Sequence, residues 1–327
     1  MELRQLEYIV AIADTGSFTR AGHRCHVAQS ALSRQVAQLE TELGVRLFHR
    51  TTREVRLTGA GDAFVPAARR VLSEAARARA AAGDAAGVHR GQVRLGATQT
   101  ASRSLELAGL LGEFRRRFPH ATATVTAGPR QELVTAVADG DLDLALAAEG
   151  DVVAGGPGFQ ALLADEPLLA VVAPDDPLAR RRRVSLAEIA GHGPCVEFRP
   201  GTELHRRVDS AFRSAGLSRT VAFELGQLTE MVRFARAGLG TAIVPRSFTA
   251  DLAAQSGRAA GLLDLADRGL TMTIGAYTRP DSLSPTARAL LDIAAEQAEL
   301  RGELPGQGTQ AWPRSRRSSR NSPIASS

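Results

Sequence analysis

Near the start of the chain, apolar residues recur at the three- and four-residue spacing of amphipathic helices. The stripe of the first predicted helix consists of Leu3, Leu6, Ile9, Val10 and Ala13. Residues 14–16 interrupt this pattern. The hydroxyl of Ser17 can then cap a second helix, from Phe18 to about Cys25, because it can accept from the free amides of the first turn. The pattern predicts two helices joined by a short turn.

A third helix is predicted after His26 and Val27, and Gly44 stands where a left-handed C-terminal cap is needed. Its inward face consists of Leu32, Val36, Leu39 and Leu43. The opposite face carries four hydrogen-bonding side chains, Gln29, Ser30, Ser33 and Arg34. Arg can donate twice to guanine, Gln can bond adenine at two positions, and Ser suits phosphate or either base. This face is a candidate DNA-reading surface, although an ordinary solvated helix face has the same composition.

Two β-prone stretches, residues 45–48 and 54–57, flank a basic tip. This arrangement predicts a β-hairpin, or wing. Arg50 and Arg53 are its candidate DNA contacts. A wing beside a helix-turn-helix favours the DNA-reading interpretation of the third helix over the solvated one.

A long segment rich in Ala and Arg runs from residue 58 to about residue 86 and predicts a helix. We expect a break near residues 59–61 and a kink at Pro66, which cannot donate a backbone hydrogen bond. Its apolar side consists of Phe64, Ala68, Val71, Leu72, Ala75 and Ala76. A lone helix of this length buries little surface, so pairing with a second copy of the chain is the expected use.

After residue 91 the pattern changes to alternating strands and helices. The predicted strands are residues 93–97, 121–127, 142–147, 168–173, 196–198, 220–225, 241–244 and 272–277. The predicted helices are residues 105–118, 131–138, 204–215 and 228–237, and a last helix opened by Ser284 and Pro285. This alternation predicts a doubly wound α/β architecture with a ligand crevice at the carboxyl ends of its strands.

Three segments place free backbone amides and hydroxyls at predicted helix starts: residues 98–102, 198–203 and 226–229. Convergence of these helix ends favours an anionic ligand such as a carboxylate. The candidate ligand-binding residues are Thr98, Gln99, Thr100, Ser102, Gly128, Phe198, Arg199, Thr202, Gln227 and Thr229. Two alternatives remain open: the polar residues are ordinary helix caps, and Arg199 pairs with Glu197 or Glu203 instead of a ligand.

The composition narrows the class of protein. A chain of 327 residues exceeds one usual hydrophobic core, and it has no apolar run near the roughly 20 residues of a membrane helix. The charged N-terminus is unlike a secretory signal, so we expect a cytoplasmic protein with no membrane partner. All 40 basic residues are Arg, but the net charge of +5 lies mostly in residues 301–327, an expected disordered tail whose contact with DNA would be secondary.

The sequence carries no motif for a catalytic or metal centre. A phosphate loop, a nucleophile elbow and an HExxH motif are all missing, and His23, His26 and His49 lack the further ligands of a metal site. We therefore expect no enzyme activity, no metal and no cofactor. Cys25 and Cys195 are interpreted as buried free thiols, with a redox switch as the alternative.

Almost sixty contiguous residues resemble the DNA-binding domain of LysR-type transcriptional regulators. The segments that carry this resemblance are Leu3-Arg4-Gln5-Leu6-Glu7-Tyr8, Gly16-Ser17-Phe18-Thr19-Arg20-Ala21, Ala31-Leu32-Ser33-Arg34-Gln35, residues 39–48, and Leu57-Thr58. The resemblance implies that residues 18–37 form the helix-turn-helix. It also implies that Gln29, Ser30, Ser33 and Arg34 meet DNA and that Arg53 reaches the minor groove or backbone.

The chain departs from the family pattern at three positions. Ala28 replaces a helix-capping Ser or Thr, Ser30 replaces a common Pro, and Gly22 replaces an Ala. Loss of the cap should weaken the start of the third helix by about 1 kcal/mol. Gly22 should similarly weaken the second helix. None of these changes removes a group that would contact DNA.

The resemblance continues less tightly to about residue 300, where it implies an effector domain similar to periplasmic solute-binding proteins. It is carried by Phe198-Arg199-Pro200-Gly201-Thr202, residues 238–246, and Leu283-Ser284-Pro285-Thr286-Ala287-Arg288. The expected architecture is a multidomain α+β chain. Its parts are a winged helix-turn-helix (1–58), a linker helix (59–90), subdomain I (91–163 and 268–300), subdomain II (164–267) and a tail (301–327).

The implied function is regulation of transcription by an allosteric DNA-binding protein whose cleft binds a small, anionic effector. The resemblance implies a homodimer joined through the linker helix, a homotetramer, and an interrupted palindrome in double-stranded promoter DNA. Contact with RNA polymerase is compatible with this function. The alternatives are a redox-sensing member of the same family, an α/β enzyme, and a secreted solute-binding protein, which the helix-turn-helix and the N-terminus argue against.

Overall fold

The computed structural model describes residues 1–50, 55–85, 91–150, 156–250, 261–267, 269–279 and 283–301. The predicted tail from residue 302 lies outside these ranges, as does the tip of the wing with Arg53. At Arg50 the described part is the backbone.

The helices follow the predicted order, with two additions in the second half of the chain. Among the described residues they are α1 (Leu3–Thr15), α2 (Phe18–Arg24), α3 (Gln29–Leu43), α4 (Gly59–Ala85), α5 (Gln99–Ser104), α6 (Leu107–Arg117), α7 (Arg130–Asp139), α8 (Leu186–His192), α9 (Glu203–Ser214), α10 (Leu228–Arg236) and α11 (Pro285–Arg301). Short 3-10 helices occupy Pro177–Arg180 and Arg246–Thr249.

The strands form a two-stranded wing and a larger sheet. Among the described residues they are β1 (Phe48–Arg50), β2 (Val55–Leu57), β3 (Gln92–Ala97), β4 (Thr122–Ala127), β5 (Leu144–Ala148), β6 (Gly158–Val171), β7 (Arg183–Val184), β8 (Cys195–Phe198), β9 (Val221–Leu225), β10 (Thr241–Pro245), β11 (Leu262–Leu265) and β12 (Thr271–Thr278). The wing pairs antiparallel, with Phe48 opposite Leu57 and Arg50 opposite Val55.

The N-terminal domain is a three-helix core closed by the wing and the start of α4. Its buried residues are Leu6, Tyr8, Ile9, Ala11, Ile12, Ala21, Leu32, Val36, Leu39, Leu47, Phe48, Val65 and Ala68. Two predicted core positions are wrong, because the side chains lie at helix ends beyond the core: Leu3 is 38% exposed and Leu43 is 37% exposed. Gly44 adopts the predicted left-handed conformation, with φ of 71°.

Helix α4 begins directly at Gly59, so the predicted break at residues 59–61 is wrong. A Cβ on Gly61 would lie 2.1 Å from the carbonyl oxygen of Leu47, so this glycine serves the close approach of α4 to the wing. Helix α4 continues through Pro66. Within the chain, Val65 and Ala68 are buried against the N-terminal domain, whereas Val71 remains 42% exposed.

The larger sheet has the strand order β4-β3-β5-β12-β6-β10-β8-β9 in the described residues, with β11 and β7 attached beside β6. Strand β6 is the common element of its two halves. Its residues up to Pro167 pair with β12, and its residues from Leu168 pair with β10. The subdomain boundary predicted at 163/164 therefore falls inside this strand.

Several elements of the second half differ from the prediction, and strands β7 and β11 are among those that were not predicted. The helix predicted over residues 105–118 is α6, and it is preceded by the separate short helix α5, from which it is divided at Glu106 with a φ of 48°. The strand predicted over residues 168–173 is the end of the longer β6. Helix α8 was not predicted, although Ser185 and Glu188 form a capping box at its start.

A continuous apolar core covers both halves of the sheet. In subdomain I it includes Leu95 and Phe114, and in subdomain II it includes Val196, Phe212 and Met231. No helix among the described residues combines the length and apolar character that crossing a bilayer requires.

Candidate DNA interface and effector cleft

Helix α2 is held by a cap at its start and by two backbone features, at His26 and Gly22, where it meets α3. The Ser17 hydroxyl caps α2 by accepting from the amide of Arg20, as predicted. His26 adopts a φ of 55°, an uncommon conformation for a residue with a side chain. A Cβ on Gly22 would lie 2.9 Å from the carbonyl oxygen of Val27. Gly22 therefore permits close contact between α2 and the segment entering α3.

Helix α3 presents a polar face to solvent. Gln29, Ser30 and Arg34 are exposed, and Ser33 is half-buried beside them. Leu32, on the other face, is fully buried. Since Ala28 provides no side-chain hydrogen bond to the first turn, the predicted loss of this cap is confirmed. The result is a rigidly held helix whose outer face can enter a DNA groove.

The wing lies next to this helix through its shared packing. The rings of Phe18 and Phe48 meet edge to face with centroids 5.9 Å apart, which joins α2 to β1. Glu40 accepts from the backbone amides of Leu47 and Phe48 at 2.8 and 3.2 Å and fixes the start of the wing to α3. The side chains of Arg50 and Arg53, both predicted contacts, lie outside the described residues.

The second candidate site is a cleft between the two halves of the large sheet. Strands β3, β4 and β5 run parallel to one another and antiparallel to β12, so they run in the direction of β6. Strands β8, β9 and β10 are parallel to one another, and β10 runs antiparallel to β6. The carboxyl ends of the two sets therefore face each other, which is the arrangement predicted for a ligand crevice.

The start of α5 contacts the start of α10 across this cleft. Thr98 caps α5 by accepting from the amide of Ala101 at 3.3 Å. The Gln99 side chain donates to the carbonyl oxygen of Gly226 at 3.3 Å and accepts from the amide of Leu228 at 3.5 Å. The predicted convergence of segments 98–102 and 226–229 is confirmed.

The remaining candidates differ in accessibility. Thr100 is buried, Ser102 is half-buried, and Gly128 directly follows β4 at the same edge of the sheet. Gln227 and Thr229 are exposed at the start of α10, and the Gln227 side chain makes no capping hydrogen bond. The Gln227 side chain can thus change its contacts without the loss of a cap on α10.

In subdomain II, Thr202 caps α9 and also donates to the carbonyl oxygen of Arg199 at 2.9 Å. The ordinary-cap interpretation therefore accounts for one function of Thr202. Arg199 is exposed. The two carboxylates considered as its partners, those of Glu197 and Glu203, are instead paired with other Arg residues. Glu197 pairs with Arg219, and Glu203 pairs with Arg206 at 2.5 Å.

The sequence did not single out Arg130, which stands at the same edge of subdomain I. Its Cζ lies 5.9 Å from the ring centroid of Tyr277, and a Cβ on Gly150 would lie 2.6 Å from that carbon. Gly150 donates to the Tyr277 hydroxyl at 2.9 Å. Burial raises the pKa of Tyr277 against the lowering effect of Arg130, with Glu203 adding to the rise. The Arg130 guanidinium is therefore held where subdomains I and II approach each other.

Glu166 is a second residue that sequence patterns did not reveal. It lies on β6, is buried, and accepts from the Ser104 hydroxyl and from the Ser247 amide, both at 2.7 Å. Its two oxygens thus join α5 of subdomain I to the 3-10 helix that follows β10 in subdomain II. A single acidic residue in a strand carries no pattern that predicts this role.

Both cysteines are poorly suited to redox chemistry. Burial raises the pKa of Cys195 to about 11, and Glu197 adds to the rise while Arg219 opposes it. Cys25, in the other domain, is half-buried, so its interpretation as a buried thiol is wrong, although partial burial still raises the pKa of this thiol. Because the thiolate is the reactive form, these raised pKa values disfavour reaction of either thiol near neutral pH. Within the described ranges, no group of three His, Cys, Asp or Glu side chains could hold a metal ion.

Two family profiles match the chain and together cover most of it. The profile "Bacterial regulatory helix-turn-helix protein, lysR family" matches residues 3–62, and "LysR substrate binding domain" matches residues 86–299. Among curated proteins, the uncharacterized HTH-type transcriptional regulator YnfL of Escherichia coli (strain K12) is 34% identical over 250 residues. That alignment covers 76% of this chain and 83% of YnfL.

Two solved structures extend the similarity to the whole architecture. A full-length cysteine-to-aspartate variant of OxyR from Pseudomonas aeruginosa superposes with a TM-score of 0.75 at 25% identity, covering 94% of this chain and 99% of the other. Full-length CbnR in complex with its target DNA superposes with a TM-score of 0.53 at 26% identity, covering 91% of this chain and all of the other.

Proposed function

Since this chain belongs to the LysR family of DNA-binding transcriptional regulators, we propose that a small anionic effector, held in the cleft, changes how the chain binds promoter DNA. Binding of the effector favours one arrangement of subdomains I and II over another, and that preference is passed to the DNA-binding domains. The finer assignments of site residues, assembly and partners are part of this proposal.

The DNA-reading part of the proposal rests on the outer face of α3. Gln29, Ser30, Ser33 and Arg34 share a helix surface whose opposite side is buried, and CbnR was solved with its target DNA. We assign Arg34 to a base edge, because a guanidinium can donate twice to guanine. Arg50 and Arg53 of the wing are assigned to the minor groove or the phosphate backbone.

The effector part rests on the free guanidinium of Arg199 at the mouth of the cleft. Its two acidic neighbours in sequence, Glu197 and Glu203, are paired with other Arg residues, so neither of them competes with a carboxylate from outside. We further assign Thr98, Gln99, Thr100, Ser102, Gly128, Phe198, Thr202, Gln227 and Thr229 to the lining of the effector site. The chain would need no cofactor, no metal and no catalytic step for this role.

For the assembly, we propose a homodimer through α4 and a homotetramer built from two dimers. Val71 supports the first step, because this apolar side chain is exposed on the helix, whereas Val65 and Ala68 of the same helix are buried within the chain. A two-fold assembly matches an interrupted palindrome in double-stranded DNA. The protein would act in the cytoplasm, where RNA polymerase is a further candidate partner.

Footprinting on the DNA upstream of the chain's own gene tests DNA binding. The wild type should protect two half-sites at moderate salt, and Arg34→Ala should abolish this protection while size-exclusion chromatography shows the same oligomer. Arg115→Ala, an exposed change on α6, removes the same charge and should leave the footprint intact. Equal footprints for wild type and Arg34→Ala would contradict the assignment of α3.

Thermal-shift titration with a panel of small carboxylates and their uncharged amides tests the cleft. We expect stabilisation by at least one carboxylate and not by its amide. Arg199→Ala and Thr202→Ala should reduce that stabilisation and leave DNA binding without effector unchanged. Equal stabilisation of wild type and Arg199→Ala would contradict the placement of the anion.

A further inference from the structure

Arg69 of the linker helix α4 contacts the two domains that this helix joins. Its Nη2 donates to the carboxylate of Asp14, at the end of α1 in the DNA-binding domain. Its Nη1 donates to Asp141 in subdomain I at 2.5 Å. About a fifth of the Arg69 and Asp14 side chains remains accessible (21% and 22%), so solvent screens these pairs only in part. One guanidinium thus bridges carboxylates of separate domains.

The bridge is part of a longer chain of alternating charges. Asp14 also accepts from Arg24 of α2 at 2.7 Å, so the series runs Arg24, Asp14, Arg69, Asp141. Partial burial alone would lower the pKa of Arg69, but Asp141 and Asp14 together raise it. The planar guanidinium suits this position, because its separate N–H groups can serve two acceptors at once. The series links the first helix of the helix-turn-helix to the sensing domain.

Subdomain I is also fitted closely to the backbone of α4 next to this bridge. Gly140 has a φ of 83°, and a Cβ at this position would lie 3.3 Å from the Cα of Arg70. One helical turn beyond Arg69, the buried Ser73 hydroxyl accepts from Arg94 at 3.1 Å, and Arg94 pairs with Asp143 at 2.7 Å. Arg69 and Ser73 therefore lie on one docking face of α4.

We propose that Arg69 is a positioning residue that sets the orientation of the DNA-binding domain relative to the sensing domain, by clasping Asp14 and Asp141 at the same time. Asp141 and Asp143 precede β5, whose other end lies at the cleft. A rotation of subdomain I on effector binding therefore moves the Asp141 carboxylate relative to α4. This movement strengthens or breaks the two ion pairs of Arg69, and the orientation of the DNA-binding domain changes with them.

The inference rests on the proposed function for its effect on promoter binding, but its geometry can be tested without DNA. Pulsed electron paramagnetic resonance can measure the distance between labels at Ala37→Cys in α3 and Ala108→Cys in α6, both exposed positions. The background is full-length protein carrying Cys25→Ser and Cys195→Ala. Labelled chains are diluted into excess unlabelled chains, so that distances within one subunit dominate.

Arg69→Gln should shift and broaden the distance distribution, with the population of the clasped distance falling by about fivefold, the upper range for a partly exposed ion pair. Arg70→Gln is the matched control, because Arg70 is the exposed neighbour on the same helix, and its distribution should equal that of the parent protein. Arg69→Lys keeps the charge and one pair, so an intermediate distribution is expected.

Asp141→Asn should reproduce the effect of Arg69→Gln from the sensing-domain side, whereas Asp139→Asn, a nearby change at the end of α7, should not. Since Asp141 is 38% exposed and lies outside the apolar cores, this variant guards against misfolding as an explanation. A distribution for Arg69→Gln and Asp141→Asn that coincides with the parent overturns the proposal. A wild type that fails to bind promoter DNA contradicts the proposed function instead and leaves the distance result standing.

Discussion

The side-chain amide of Gln99 lies 3.3 Å from the carbonyl oxygen of Gly226, and this contact joins the two subdomains across the cleft. The same side chain accepts from the Leu228 amide, a group that an effector oxygen could also use. Gln99 therefore bonds to an amide that the proposed anionic effector would also use.

Replacing Gln99 with Ala should loosen the cleft of the effector-free protein. Loss of these hydrogen bonds should speed deuterium exchange of the amides at residues 226–230 by about fivefold, because one neutral hydrogen bond contributes about 1 kcal/mol. Gln131→Ala, an exposed change on α7, is the control and should leave this exchange unchanged. Equal exchange in Gln99→Ala and wild type would show that Gln99 does not hold the cleft.

A methyl group at Gly22 should damage the helix-turn-helix. Since its Cβ would lie 2.9 Å from the Val27 carbonyl oxygen, Gly22→Ala should destabilise the domain by about 1–3 kcal/mol and weaken DNA binding. Gly112→Ala on α6, where a Cβ meets no atom within 4 Å, should stabilise the protein by about 1 kcal/mol. Thermal unfolding and DNA titration measure both effects, and a neutral Gly22→Ala would rule out the close approach.

Removal of both thiols should leave regulation intact. Their raised pKa values keep Cys25 and Cys195 protonated at neutral pH, so iodoacetamide should modify them slowly in the native protein and rapidly in denaturant. Cys25→Ser with Cys195→Ser should retain its effector response, even if a buried hydroxyl lowers the stability. A second double variant, Cys25→Ser with Cys195→Ala, separates that packing effect. Loss of regulation in both double variants would restore the redox alternative.

The stabilising effect of Glu113 should depend on pH. Hydrogen bonds from Arg116 and Arg117 lower its pKa from 4.5 to about 2. A carboxylate with a lowered pKa contributes its stability above the unfolded value and loses it as the pH falls through the folded value. The difference in thermal stability between wild type and Glu113→Gln should therefore be constant above about pH 5 and shrink between 4.5 and 2.

Glu132→Gln, an exposed change on α7, provides the comparison. A Glu113→Gln difference that grows on acidification would contradict the charge assignment. Circular dichroism at fixed ionic strength is sufficient for both variants.

The sequence predicted those parts of the fold that depend on local patterns. Ser17 and Ser284 were placed correctly as caps, because a capping hydroxyl stands next to the first turn it serves. Periodicity gave the inner face of α3 but overextended it to Leu43, since a helix end can project beyond the core it packs on.

The rest depends on contacts between distant residues. Glu106 divides α5 from α6 with a left-handed backbone that neither Gly nor Pro marks in the sequence. Glu166 and Arg69 each join segments at least 55 residues apart, and nothing near them in the chain indicates their partners. In the cleft, the three helix starts could be predicted, but the occupation of one of them by Gln99 could not.

Strand β6 has a last consequence for how this architecture can be divided. One half of the strand completes the sheet of subdomain I and the other half completes that of subdomain II, so a cut anywhere along it leaves a fragment with an open sheet edge. Neither subdomain can then be produced alone, or exchanged with that of a relative, without the whole of strand β6. Chimaeras that couple this DNA-binding domain to a new ligand specificity should therefore exchange subdomains I and II together, with joins placed before β3 and after α11.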